Sequence, residues 1–194
     1  RPKHIYSIKS LTNPVPHILQ ETPAEKDLGV YISNNLKWRT QVDHAVQKAN
    51  SVLGSLKRSF SCWTKISLKI LYTVFVRPHL EYANTVWCPY LKHDIRALER
   101  VQRRATKLVP ELKYLDYSTR LKLLGLTTLK SRRERGDLIQ YYKLVNKVNI
   151  IDWFHPNALT NSLLSSGLAS ATRGHNLRLK GQLIKNCPAR ANYF

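Results

Sequence analysis

A chain of 194 residues with 43% hydrophobic and 23% charged residues can form one large domain or two small ones, with enough apolar material for a core. Its 32 Lys and Arg against 12 Asp and Glu give a formal net charge of +20, which points to a polyanionic partner, nucleic acid first and an anionic membrane surface second. Four Trp, ten Tyr and four Phe carry more aromatic mass than a solvated tail, which argues against disorder throughout.

Three Cys with no CxxC pair (Cys62, Cys88 and Cys187) make neither a disulfide framework nor a zinc site, and a reducing, intracellular compartment is expected, nucleus or cytoplasm. No stretch approaches the roughly 20 apolar residues of a membrane helix, the best run being residues 70–76, and the basic stretch at 96–107 lacks Trp or Phe to insert into lipid, so no membrane partner is expected. With no Met and a start at Arg1, the chain is expected to be a fragment.

In chain order, residues 1–37 hold four Pro and short β-like runs at 4–8, 15–19 and 28–32, the last bounded by Gly29 and the Asn34-Asn35 pair. These predict pieces of a small sheet. From Trp38 the period becomes helical. Thr40 and Asp43 suggest a capping box, and Val42, Ala45, Val46, Ala49, Val52, Leu53 and Leu56 form one apolar face running to Lys57-Arg58. A second helix is predicted from about Thr64, with Pro78 kinking or interrupting it. Leu80, Tyr82, Val86 and Trp87 continue its apolar face, and this is expected to be the most buried stretch.

The third helix, 94–109, is the most informative. At about 100° per residue, Ile95, Leu98, Val101, Ala105, Leu108 and Val109 share one side, while Arg96, Arg100, Arg103, Arg104 and Lys107 gather opposite them. Pro110 is expected to stop it. A short helix at 117–124 ends on Gly125 as its C-cap, and a further one runs from Thr128 through Val145. Its first turns hold Lys130, Arg132, Arg133 and Arg135, the wrong sign for a helix N-terminus, which calls for a compensating anion. Beyond Asp152 no acidic residue occurs and periodicity fades, so 151–194 reads as an irregular extension. The expected fold is mainly α: a helical, thumb-like bundle over 38–150 with a small N-terminal β remnant.

No catalytic or metal site is expected within the segment. The acids are scattered singly, without the converging carboxylates of two-metal phosphoryl transfer. His79, Cys88 and His93 fit no ligand spacing, Cys88 with His93 reads as a buried thiol near a histidine, and no GxGxxG or P-loop occurs. The basic stripe differs from an ordinary solvated helix face, which interleaves Glu with Lys. Residues 96–135 contain twelve Lys or Arg against four Asp or Glu, a local net charge of +8, and the two basic clusters are expected to converge on one phosphate-binding surface. Trp63, Tyr72, Phe75, Tyr82 and Trp87 read as core rather than base-stacking platforms, while Tyr141-Tyr142 fits either role.

Several segments together resemble one family. Glu25-Lys26-Asp27-Leu28-Gly29-Val30, Leu36-Lys37-Trp38 and Leu71-Tyr72, with the strings RPHLEYA at 77–83 and LERVQRRATK at 98–107, are similar to the region beyond the palm of non-LTR (LINE-type) retrotransposon reverse transcriptases. Leu124-Gly125-Leu126-Thr127-Thr128-Leu129 and the RGDLI string at 135–139 extend the likeness, which covers about 25–145.

The resemblance implies a thumb closing on the primer–template duplex, with Leu28 and Gly29 in a primer-grip-like strand. Where many relatives carry an aromatic before that Leu, this chain has Asp27. It further implies an RNA–DNA hybrid or DNA duplex as partner, bound through its backbone, and contact with the remainder of a polymerase chain. Palm aspartates and their magnesium would lie in that remainder, so the segment would be inactive alone. The rival expectations are a stand-alone or domesticated helical nucleic-acid-binding module and a degenerate retroelement relic.

Overall fold

The computed structural model describes residues 6–8, 17–146 and 148–149; the expected irregular extension at 151–194 lies outside them, as do residues 4–5 and 15–16 of the expected strands. The chain is mainly helical. Strands β1 (Ser7–Ile8) and β2 (His17–Ile18) pair antiparallel, as do β3 (Ala24–Asp27) and β4 (Val30–Ser33). Helices α1 (Arg39–Ser59), α2 (Lys65–Leu71), α3 (Arg77–Glu81), α4 (Lys92–Ala105), α5 (Tyr117–Leu124) and α6 (Leu129–Val145) follow, with a π-helical turn at Tyr72–Val76 and a 3-10 turn at Pro110–Leu112.

The β3–β4 pairing corrects the expected strand at 28–32. Asp27 pairs with Val30, so Leu28 and Gly29 are not strand residues but the two-residue loop between strands. Their φ angles of 44° and 85° are the left-handed pair that a type I′ hairpin requires, a conformation natural for Gly29 and costly for Leu28.

The expected capping box on α1 is absent. The helix begins at Arg39 with Trp38 as its N-cap and no side-chain cap, because the Thr40 hydroxyl is engaged by Ser33 Oγ at 2.9 Å and Asp43 pairs with Arg39. A capping box does occur on α2, where Thr64 Oγ1 accepts the Ser67 N–H and Ser67 Oγ accepts the Thr64 N–H.

Pro78 interrupts the expected second helix, dividing it into α2 and α3. The chain widens into the π turn before it, with the Arg77 N–H reaching back five residues to the Tyr72 carbonyl, which relieves the clash of a proline ring with the preceding turn. Leu68, Tyr72, Val76 and Leu80, four residues apart, form the buried edge, and Ile66, Ile70 and Val74 form an exposed one. The expectation of uniform burial here is therefore corrected. Leu80 and Trp87 are fully buried, but Phe75 is 49% and Tyr82 55% exposed. Tyr82 is turned outward because its hydroxyl donates to the Leu28 carbonyl at 2.9 Å, bracing the hairpin tip.

Two hydrogen bonds show that α1 and α4 run side by side in the same direction. Arg39 Nη1 donates to Asp94 Oδ1 at one end (3.1 Å), and Arg104 Nη1 donates to Asn50 Oδ1 about three turns further along both helices (3.0 Å). Val42, Ala45, Ala49 and Leu53 of α1 join Leu98, Val101 and Ala105 of α4 in the core with Trp87, Leu112, Leu124 and Leu129. At about 1.5–3 kcal/mol for each fully buried large side chain, this seam fixes how the opposite face of α4 is displayed. The helix expected over 94–109 is corrected: α4 ends at Ala105, so Pro110 does not stop it but opens the 3-10 turn, while Gly125 closes α5 at φ 60°, as expected for a C-cap.

Candidate nucleic-acid interface

Because Leu98, Val101 and Ala105 turn α4 inward, its other face must meet solvent. Arg96, Arg100, Arg103 and Arg104 are all exposed there, Lys107 is exposed just past the end of the helix, and among the described residues none of the five pairs with a carboxylate. Arg96 to Arg104 spans about 12 Å, the length of three to four nucleotides along one strand.

Glu99 borders this stripe in sequence but does not neutralise it. Its Oε1 accepts the Tyr117 hydroxyl and its Oε2 accepts the Leu129 N–H at 3.1 Å, so the carboxylate is turned toward α5 and α6. Gln102 lies beside it in a buried network, accepting the Tyr72 hydroxyl at 2.6 Å and donating to Tyr117 Oη at 2.9 Å and the Thr127 carbonyl at 3.0 Å. Burial, reinforced by Glu99, pushes the Tyr117 phenol well above its ordinary range, keeping it a proton donor.

The second basic cluster does not join the first as a whole. Arg132 is taken by Glu81 through both carboxylate oxygens, a pairing that raises the Arg132 pKa. Arg133 is only 4% exposed and lies over the Trp87 ring at 5.5 Å, its pKa lowered by burial. Lys130 remains exposed beside Glu134 at 3.7 Å, and Arg135 remains exposed. The sequence treated all four alike because alternate positions along a helix reveal direction but not what the neighbouring helix offers. The anion expected at the start of α6 comes from the chain itself: Glu99 on the first-turn N–H, Glu81 on Arg132 and Glu134 on Lys130.

Leu28 and Gly29 stand at the hairpin tip, with Leu28 87% exposed. Cys62 and Cys88 are free thiols, and burial pushes the Cys88 thiol up, away from nucleophilic chemistry. The magnesium that the resemblance implies finds no donor set among the described residues: Glu81, Asp94 and Glu99 are apart, each holding a cation or N–H of this chain.

Arg120 and Tyr117 join this face although neither was among the expected phosphate-contacting residues. Arg120 Nη1 donates to the Arg103 carbonyl at 3.4 Å, and Tyr117 carries the Arg103 guanidinium 4.1 Å from its ring centroid. The available signal was Gln102, a polar residue on the apolar side of α4 that demanded buried partners. Compared with protein families, curated proteins and solved structures, the chain gives no match. No helix among the described residues is long and apolar enough to cross a membrane.

Proposed function

We propose that this chain grips nucleic-acid duplex through its phosphate backbone, as the thumb-like part of a retroelement RNA-directed DNA polymerase whose catalytic carboxylates lie in other polypeptide. The observation that carries this reading is the outward face of α4. Arg103 and Arg104 occupy the last turn, where the helix dipole alone favours cations, but Arg96 and Arg100 gain nothing from that end and face no carboxylate among the described residues. Guanidiniums presented in a row without counter-charge suit bidentate contact with phosphate oxygens.

Leu28 adds a second line of support. A leucine held in a left-handed conformation and exposed to water serves neither local stability nor the core, and a strained, displayed side chain is a mark of a contact made with something else. A primer-grip-like role at the end of a duplex fits that display. The alternative of a stand-alone sequence-reading module would require base discrimination of about 1–3 kcal/mol per contacted pair.

Fluorescence anisotropy with a labelled 20-base-pair RNA–DNA hybrid tests the proposal. Binding is expected to persist when the sequence is scrambled and to be competed equally by unrelated duplexes. Preference for one sequence would favour the stand-alone reader, and absence of binding at low salt would overturn both.

A further inference from the structure

Tyr117 opens α5, and its hydroxyl end is locked: it donates to Glu99 and accepts from Gln102, which is itself held by Tyr72 and the Thr127 carbonyl. A ring fixed at one edge can serve as a backing plate for cations. Two use it. The Arg103 guanidinium carbon lies 4.1 Å and that of Arg120 lies 5.5 Å from the same ring centroid.

Their surroundings are short of anions. Arg103 is exposed, and its guanidinium has no hydrogen-bond acceptor among the described residues. Arg120 is 3% exposed; its Nη1 donates to the Arg103 carbonyl, and its Nε has no acceptor among the described residues. Glu99 is committed to Tyr117 and Leu129, and Asp116 to capping α5 through the Thr119 N–H at 3.1 Å. Neither forms an ion pair with the two arginines. Burial, and to a smaller degree the neighbouring Arg103 charge, lowers the Arg120 pKa, with Asp116 offsetting only part of it.

We propose that Arg103 and Arg120, backed by the Tyr117 ring, form a seat for a single phosphate group. A tetrahedral phosphate, whether a singly charged backbone diester or a free ion, points acceptor oxygens at two guanidiniums at once, which one planar carboxylate does less well. This seat deepens the reading of α4 as a phosphate-facing helix and rests on it for the identification of the phosphate as a backbone one. It adds two residues, Arg120 and Tyr117, and makes one point of the stripe a built site rather than a diffuse field.

The test uses the full 194-residue chain with two probes: inorganic phosphate against chloride at equal ionic strength, and a 20-base-pair DNA duplex. Phosphate is expected to move the Arg103 and Arg120 Nε–Hε NMR signals saturably. Arg103→Gln should weaken phosphate about tenfold, the loss of one charge-assisted contact, while Lys122→Gln, an equal charge change elsewhere on α5, should not. Because Arg120→Gln alters a buried position, Tyr117 provides the second arm. Tyr117→Phe keeps the ring and the phosphate affinity while lowering stability, and Tyr117→Leu weakens phosphate in the folded protein.

Wild-type phosphate affinity in Arg103→Gln, or an equal loss in Lys122→Gln, overturns the seat. Duplex binding that weakens with Arg103→Gln assigns the phosphate to a nucleic-acid backbone. Phosphate binding lost with duplex binding intact keeps the seat and assigns it to a free phosphate group. A working seat with no duplex binding in any form overturns the proposed function alone.

Discussion

Glu99 reaches from α4 to accept the Leu129 N–H at 3.1 Å, so a carboxylate of one helix sits at the positive end of another. The same side chain anchors Tyr117. Glu99→Ala removes both acceptors and leaves a buried phenol and a helix N–H unmet. It is expected to cost about 2–3 kcal/mol, read as a lower urea midpoint with unchanged slope. A change below about 0.5 kcal/mol, the size of an ordinary surface substitution, would show that water replaces the contact.

Arg133 should be dispensable to the fold. Buried over Trp87, with Nε and Nη2 lacking acceptors among the described residues, it bears a desolvation cost that those two atoms do not recover. Arg133→Met is expected to be neutral or to raise the thermal midpoint, whereas breaking a true buried ion pair costs about 3–5 kcal/mol. A loss of that size would show that Arg133 holds a partner in solution.

Asp116 gives a pH signature. Hydrogen bonds, the Ser118 hydroxyl first, hold its carboxyl far below the usual range. A depressed folded pKa means stability that is present above the unfolded value of about 3.9 and is lost as pH falls through the folded one. Asp116→Ala should therefore lower the thermal midpoint by a constant amount from pH 8 to pH 5. That difference should shrink on acidification below about pH 4, and a difference that instead vanishes between pH 7 and 6 would be inconsistent with this cap.

The hairpin tip separates stability from binding. Leu28→Asn places the Asn-Gly pair preferred by type I′ turns and relieves a left-handed leucine, an expected gain of about 1 kcal/mol. The same change should weaken binding to a recessed primer–template end by removing the displayed side chain. Gly29→Ala acts the other way, since φ is 85° and the new Cβ would stand 3.2 Å from the Tyr82 ring. A stabilised Leu28→Asn that binds primer ends as tightly as the wild type would assign Leu28 no binding role.

What was legible in the sequence is what repeats along one element. The apolar periods gave α1 and α4, Gly125 gave the end of α5, and the opposed arginines gave the outward face of α4. What depended on a second element was not legible. Thr40 looks like a cap until Ser33 takes its hydroxyl, Phe75 looks like core until the helix widens into a π turn around it, and Tyr82 looks like core until the Leu28 carbonyl draws its hydroxyl outward. Arg132 and Arg133 match Arg135 in type and neighbourhood, yet Glu81 claims the first and Trp87 covers the second. Leu28 reads as a strand residue because a left-handed leucine is rare enough that local preference argues against it.

Salt titration of duplex binding bears most directly on the α4 face. If four or five of its cations displace counterions, log K falls with log salt at a slope of about −4, and Arg96→Gln with Arg100→Gln brings it to about −2. These two are chosen because neither fold stability nor the helix dipole depends on them. A slope that stays at the wild-type value in the double variant, with folding intact, would contradict the assignment of phosphate contact to this helix.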